Sequence, residues 1–269
     1  MDYHYTILDG VDGSGKDSQA LHLVRRFAER GMDPLLVHEP TDMPTGRLLR
    51  QLLKSGEYPE AHAGLFMADR MALQVNVIKP AIEAGRPVVS VRSFLSTLVY
   101  QAEHYPLDWL ICIHKMLPIQ PSHIYVLDVP AEVGMERRLG RELRGGATPE
   151  VYEKIDIQRR VRSRYLALLE NPAFQEMVKG SFYTVIDGTM DETKVSEIIW
   201  RTAVYEPVTG ENLPDGTEVG IQFAPSRFVG ERPRNCPWYM DKDAVVAENK
   251  PEKGYTPEEL AALLKGAKL

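Results

Sequence analysis

Five short, nearly unbroken apolar runs, each followed by a stretch of helical periodicity, restrict this chain to one broad architecture. The runs are Tyr5-Thr6-Ile7-Leu8, Pro34-Leu35-Leu36-Val37, Pro87-Val88-Val89-Ser90-Val91, Ile124-Tyr125-Val126-Leu127 and Tyr183-Thr184-Val185-Ile186. A strand with one wet face alternates apolar and polar residues, whereas a run apolar throughout is covered on both sides. Helices are expected over residues 18–30, with Ala20, Leu23, Val24 and Phe27 on one face, and over 46–54, 61–84, 95–104, 131–142, 149–169 and 192–203. Pro80 is expected to bend the longest, because proline removes a backbone donor and crowds the preceding turn. The expectation is an α/β fold: a five-stranded parallel sheet flanked by helices.

The texture changes near residue 205. Residues 207–269 carry seven prolines and no strong helical period before Thr256-Pro257-Glu258-Glu259, which has the form of a capped helix start. Asn212-Leu213-Pro214-Asp215-Gly216 reads as a turn, and residues 219–223 as a strand candidate. The division is one domain over residues 1–205 and an irregular C-terminal extension over 206–269. The 32 Lys+Arg against 38 Asp+Glu give a formal charge of −6, which argues against a protein that coats nucleic-acid phosphate. Two cysteines, Cys112 and Cys236, cannot build a disulfide framework or a multi-thiolate zinc site. No apolar run approaches the roughly 20 residues of a membrane span, and Met1-Asp2-Tyr3-His4 does not begin a secretory signal. A cytoplasmic enzyme or partner-binding module remains.

Between the first strand and first helix lies Gly10-Val11-Asp12-Gly13-Ser14-Gly15-Lys16-Asp17-Ser18. Glycines let the backbone curl so that successive N–H groups face inward at a polyphosphate, the helix N-terminus adds its dipole, and Lys16 adds a point charge. This is a phosphate loop, and its expected ligand is ATP with Mg²⁺. The usual pattern places a hydroxyl directly after the lysine, where it contacts magnesium. Here Asp17 follows and Ser18 comes one place later. Either Ser18 reaches the ion through water, or Asp17 helps to hold it, or Asp17 only favours the start of the helix.

Four further stretches, collinear with the loop, make residues 3–204 resemble the thymidylate kinase family of P-loop nucleoside monophosphate kinases. They are His38-Glu39-Pro40-Thr41 with Arg47 and Arg50; Leu65-Phe66-Met67-Ala68-Asp69-Arg70 with Lys79-Pro80; Val91-Arg92-Ser93 with Ser96 and Val99-Tyr100-Gln101; and Tyr125 to Pro130 with Tyr152-Glu153 and Val161 to Leu166. The resemblance implies ATP-dependent phosphorylation of a deoxypyrimidine 5′-monophosphate, dTMP by default, in a homodimer. It implies that Phe66 stacks on the base and Arg70, one helical turn on, bonds its edge. Core packing for Phe66 and a surface ion pair for Arg70 are the bland alternatives. Arg92 would grip the acceptor phosphate, Ser96 face the base, and Tyr100 lie under the sugar and exclude a 2′-hydroxyl. Glu39 and Gln101 join the acceptor site, and Asp12 and Glu153 lie near the sugar or metal. Arg137, Arg138, Arg141 and Arg144 mark a lid over about residues 137–152. Lys16, Arg92, Arg137 and Arg141 are the catalytic cations.

Two more departures touch chemistry. The family usually has Asp-Arg-Tyr where this chain has Val91-Arg92-Ser93, and an arginine where it has Val151. Glu39, Asp12 or Asp17 could replace the missing charge. Alternatively, Ser93 could admit a bulkier acceptor, such as a 5-hydroxymethyl pyrimidine nucleotide or a hydroxymethylated base in DNA. A non-catalytic nucleotide sensor with a partner-recruiting tail is the rival of another class. In the tail, Arg227, Arg232 and Arg234 with Trp238 and Tyr239 could contact nucleic acid, but eight basic residues against ten acidic over residues 207–269 favour an arm packed on protein. Replacing Lys16 with Ala is expected to abolish turnover, measured as ADP released, if the loop serves an enzyme.

Overall fold

In the computed structural model, which describes residues 4–144 and 152–204, side chains alternate across one sheet and build a core on each face. The strands are β1 (Tyr5–Gly10), β2 (Leu35–His38), β3 (Val88–Val91), β4 (His123–Asp128) and β5 (Phe182–Asp187). They lie in the order β2-β3-β1-β4-β5, all parallel, with Ile7 opposite Ser90 on one side and Ile124 on the other. Helices α1 (Lys16–Glu29) and α10 (Glu192–Val204) cover the face that carries Leu8, Val89, Tyr125 and Ile186. On the opposite face, Ile7, Val37, Ile124 and Tyr183 pack against α3 (His62–Leu73), α5 (Phe94–Tyr100), α6 (Leu107–His114), α8 (Tyr152–Glu170) and α9 (Pro172–Met177). The expected parallel α/β sheet is therefore present.

Phe27 is fully buried and meets the edge of Trp200 at 5.5 Å, while Arg30 and Arg26 lie over the indole at 4.9 and 5.7 Å. These contacts bind α1, and with it the loop before it, to α10. Among the described helices none is long and apolar enough to cross a membrane.

Three features differ from the sequence expectation. The long helix holds a π-helical turn at Gln74–Ile78 before α4 (Lys79–Glu83). Lys79 N–H reaches back five residues to the Gln74 carbonyl, widening the helix just where Pro80 has no N–H to give. Helix α6 was not expected, because Leu107-Asp108-Trp109-Leu110-Ile111-Cys112-Ile113-His114 is apolar almost all round and shows little period. Helix α9 is six residues long, below the reach of a periodicity search, yet Asn171 caps it by accepting from Ala173 and Phe174 N–H. The turn, strand and helix expected within residues 206–269 lie outside the described residues.

The chain leaves β1 toward β2 and β3 on one side and reaches β4 and β5 on the other. A crevice opens at the C-terminal end of β1, where such sheets take their ligands. Helix α7 (Ala131–Arg144) closes one wall of it by backbone contact. A Cβ on Gly13 would lie 2.0 Å from the Gly134 carbonyl oxygen, and one on Gly134 would lie 2.4 Å from the Asp12 carbonyl oxygen. Alanine favours a helix interior over glycine by about 1 kcal/mol. Gly134→Ala is nevertheless expected to lower the midpoint of urea unfolding, because its methyl must push α7 off the loop.

Candidate active site

The loop after β1 is built on left-handed glycines, with φ of 144° at Gly10, 78° at Gly13 and 95° at Gly15. Lys16 opens α1 with its side chain buried inside the loop, donating to the Val11 carbonyl at 3.1 Å and lying 3.9 Å from the Asp12 carboxylate. Burial, with Arg92 adding to it, lowers the Lys16 ammonium to about 8 against the opposing pull of Asp12. The Ser14 hydroxyl is buried and has no hydrogen-bond partner among the described residues. A helix N-terminus, a buried ammonium and a spare hydroxyl in one loop fit an oxyanion ligand such as a polyphosphate. Asp17 and Ser18 are exposed on the next turn, with Asp17 Oδ1 4.0 Å from His38 Nδ1. Among the described residues no cluster of three or more His, Cys, Asp or Glu side chains could hold a metal alone.

Arg92, directly after β3, has a φ of 66°. Such a conformation costs a side-chain-bearing residue on the order of 1–3 kcal/mol and persists where its surroundings hold it. Here its N–H donates to Leu8 O at 3.0 Å and its carbonyl accepts from Ser90 Oγ at 2.9 Å. The turn throws the guanidinium back across the loop. Nη2 donates to Asp12 Oδ1, Nη1 lies 3.4 Å from Ser96 Oγ, and the group sits 5.7 Å from the Tyr100 ring centre. Gln158 of α8 brackets Asp12, accepting from its backbone N–H at 3.2 Å and donating to Oδ2 at 3.4 Å. Burial pushes the Asp12 carboxyl up, but Arg92 and Lys16 outweigh it and hold the group below its ordinary value. Burial, then Asp12, raises the Tyr100 phenol to about 12. Gln101 is buried with its Oε1 unpartnered among the described residues.

Ser96, expected to face a base, gives its hydroxyl to Asp9 Oδ1 at 2.8 Å. Ser93, offered above as one way to admit a bulkier acceptor, is buried, bonds Asp9 Oδ2 at 3.0 Å and caps α5 by accepting from Leu95 N–H. Asp9, one residue before the loop, is a fully buried centre of this network.

On α3, Phe66 is half-buried and Arg70, one turn later, is 1 % exposed. Arg70 is in no surface pair. Its Nε donates to the Glu39 carboxylate at 2.8 and 3.1 Å, Nη2 to Glu39 and to Thr97 Oγ1, and Nη1 to His114 Nε2 at 2.7 Å. His114 Nδ1 donates to Leu110 O at 2.6 Å, so Nε2 keeps the lone pair that Arg70 needs. Glu39 is thus engaged by Arg70 rather than offered to a metal. Asp69 holds the Glu39 segment against α3 through Thr41 N–H, Thr41 Oγ1 and Thr45 Oγ1 at 2.6–2.8 Å.

On α7, Arg137 donates to the Gly188 carbonyl at 2.9 Å, beside the loop that follows β5. Arg162 of α8 holds Asp128 with two hydrogen bonds of 2.7 and 2.8 Å, and Arg159 holds Glu132, so α7 and α8 are tied at their base. The side chains of Arg141, Arg144 and Glu153, with Val151, lie outside the described residues. The structure therefore brings together Lys16, Asp12, Arg92, Ser96 and Tyr100, and sets Arg70 with Glu39 in a neighbouring buried network. His114, Thr97 and Gln158 gave no motif to find, since each belongs to the site only through contacts distant in sequence.

A family model described as thymidylate kinase matches residues 8–181. A probable thymidylate kinase of Thermococcus kodakarensis is 36% identical over 220 residues, covering 77% of this chain and 99% of that relative. A thymidylate kinase of Thermomicrobium roseum is 32% identical over 216 residues, covering 78% and 99%. A probable thymidylate kinase of Pyrococcus abyssi is 38% identical over 182 residues, covering 65% and 85%. The chain belongs to the thymidylate kinase family. It is a nucleoside monophosphate kinase and not a sensor without catalysis. The two relatives covered almost whole leave the remainder of this chain without a counterpart in them.

The buried His114 and the half-buried His123 have strongly depressed pKa values in this family member. Burial, then Arg70, lowers His114 from 6.5 to about 3, and burial, then His4, lowers His123 from 6.5 to about 4. Both take up protons more readily when unfolded, so their contribution is complete above pH 6.5 and is lost as pH falls through their folded values. Urea unfolding is expected to show a lower midpoint at pH 5 than at pH 7, and the difference to shrink in His123→Gln.

Proposed function

We propose that this kinase transfers the γ-phosphoryl group of ATP to dTMP. The observation that carries the reading is the Arg92–Asp12 contact, which bridges the phosphate loop and the cleft lined by Tyr100 and Ser96. The loop amides, Lys16 and the spare Ser14 hydroxyl hold the triphosphate. Arg92 draws the acceptor phosphate beside it, and the acceptor oxygen attacks the γ-phosphorus in line. Fixed cations then stabilise charge without reorganising, which is the main task in phosphoryl transfer. Mg²⁺ would neutralise the phosphates, and the exposed oxygens of Asp17 and Ser18 are the hard ligands such an ion takes. Arg137, and by resemblance Arg141 and Glu153, act from the lid side.

Base choice follows from Arg70. A guanidinium has five N–H donors, and among the described residues Glu39, Thr97 and His114 occupy all but one Nη1 hydrogen. One donor on an immobile group suits the 4-oxo edge of thymine, whereas the 4-amino group of cytosine would face it donor to donor. Phe66 supplies the stacking face and Tyr100 lies under the sugar, against a 2′-hydroxyl. Ser93 gives its hydroxyl to Asp9, which supports dTMP over a bulkier acceptor. Leu48, Leu53, Val75 and Trp109 leave apolar surface exposed on α2 (Pro44–Ser55), the π turn and α6, with Met116 in the turn that follows, which supports a homodimer.

Labelled ATP offered with dTMP, dUMP, dCMP, TMP bearing a 2′-hydroxyl and 5-hydroxymethyl-dUMP is expected to give the highest kcat/KM for dTMP. Absence of dTDP would overturn the reading. Phe66→Ala is expected to raise the KM for dTMP by an amount equal to roughly 1–3 kcal/mol of lost stacking, with the KM for ATP unchanged.

A further inference from the structure

Asp9 lies one residue before the phosphate loop, is fully buried, and accepts five hydrogen bonds from three parts of the fold. Its Oδ1 accepts from Gly10 N–H at 3.0 Å, Ser96 Oγ at 2.8 Å and Tyr165 OH at 2.7 Å. Its Oδ2 accepts from Ser93 Oγ at 3.0 Å and Ser96 N–H at 3.2 Å. A carboxylate so buried touches neither solvent nor substrate, and the phosphoryl transfer as written above makes no use of it. What it does hold is the chain on the far side of Arg92.

Arg92 is left-handed, and its turn is secured from three directions. Leu8 O takes its N–H, Ser90 Oγ donates to its carbonyl, and Ser93 and Ser96, the residues that follow, are moored on Asp9. The same Ser96 hydroxyl is the one that Arg92 Nη1 approaches. Val91 lies in the sheet core, and the negative group to which this turn is moored comes from β1. We propose that Asp9 is a positioning residue: it locks the turn that aims the Arg92 guanidinium over Asp12, and so sets the grip on the acceptor phosphate. The proposal rests on the reading of Arg92 as that grip.

The charge is needed as well as the shape. An asparagine at residue 9 has one acceptor oxygen and one NH₂. Placed at the Oδ1 position the NH₂ faces Gly10 N–H, and at the Oδ2 position it faces Ser96 N–H. Either orientation opposes a donor to a backbone donor that has no acceptor to offer in return. The start of α5 must move, and Arg92 with it.

The test compares wild type with Asp9→Asn, Ser93→Ala and Tyr165→Phe in the full chain, by kinetics with dTMP and ATP each varied and by ¹⁵N NMR of the Arg92 guanidinium, assigned with Arg92→Lys. Asp9→Asn is expected to raise the KM for dTMP about tenfold or more, the scale of a lost hydrogen bond to a charged group, while the KM for ATP stays within about twofold. Ser93→Ala, which leaves the carboxylate in place, should shift the dTMP KM in the same direction and carries the test if Asp9→Asn does not fold. Tyr165→Phe, which loosens Asp9 away from Arg92, should leave both KM values within about twofold. The Arg92 Nε signal should broaden in Asp9→Asn and Ser93→Ala only. Equal rises in both KM values, or dTMP KM values within about twofold of wild type in Asp9→Asn and Ser93→Ala, overturn the proposal. If wild type does not phosphorylate dTMP, the acceptor reading fails on its own, and an Arg92 spectrum unchanged by Asp9→Asn then overturns the positioning role separately.

Discussion

The crossing of Arg92 over Asp12 is the contact on which the rest of the site depends. It joins a turn at the end of β3 to a loop at the end of β1, and the parallel pairing of those strands makes the two ends neighbours. Lys16 and Arg92 both belong to that small volume, and two cations so close repel each other. Asp12, steadied by Gln158, lies between them and offsets the repulsion. Incoming phosphate groups bring negative charge to the same place, so Asp12 keeps the pair together in the free protein.

Two buried carboxylates do quieter work. Glu39 and Asp9 are each surrounded by donors, the first by Arg70 and the second by hydroxyls and backbone N–H groups. A buried charge is tolerated only when it is paired or fully hydrogen-bonded. These two satisfy that condition in different ways, and each immobilises one wall of the cleft: α3 on one side, the start of α5 on the other. Rigid walls are what a transfer reaction driven by alignment requires.

Much of the architecture was legible in the order of residues. Runs such as Val88-Val89-Ser90-Val91 announce strands buried on both faces, and glycine spacing before Lys16 announces the loop. Helix α6 was not legible, because an all-round apolar segment carries no period, and its partners Arg70 and Leu73 lie far back in the chain. The site divided likewise. Lys16, Arg92, Phe66 and Arg70 stood in recognisable strings, whereas His114 and Gln158 each occupy an unremarkable position on a helix. Their importance comes from which lone pair or N–H they present to a group tens of residues away.

By itself, then, the sequence determined the parallel sheet, the position of the anion-binding loop and the family to which the chain belongs. Those properties are local: they follow from side-chain period, from glycine's freedom at positive φ, and from short strings of residues. Only the tertiary structure decided that Ser93 and Ser96 turn inward to Asp9, that Glu39 is bound to Arg70, and that a neutral His114 accepts from Arg70. The reason is that a buried polar group must find partners wherever packing brings them, and packing is settled by the whole chain at once.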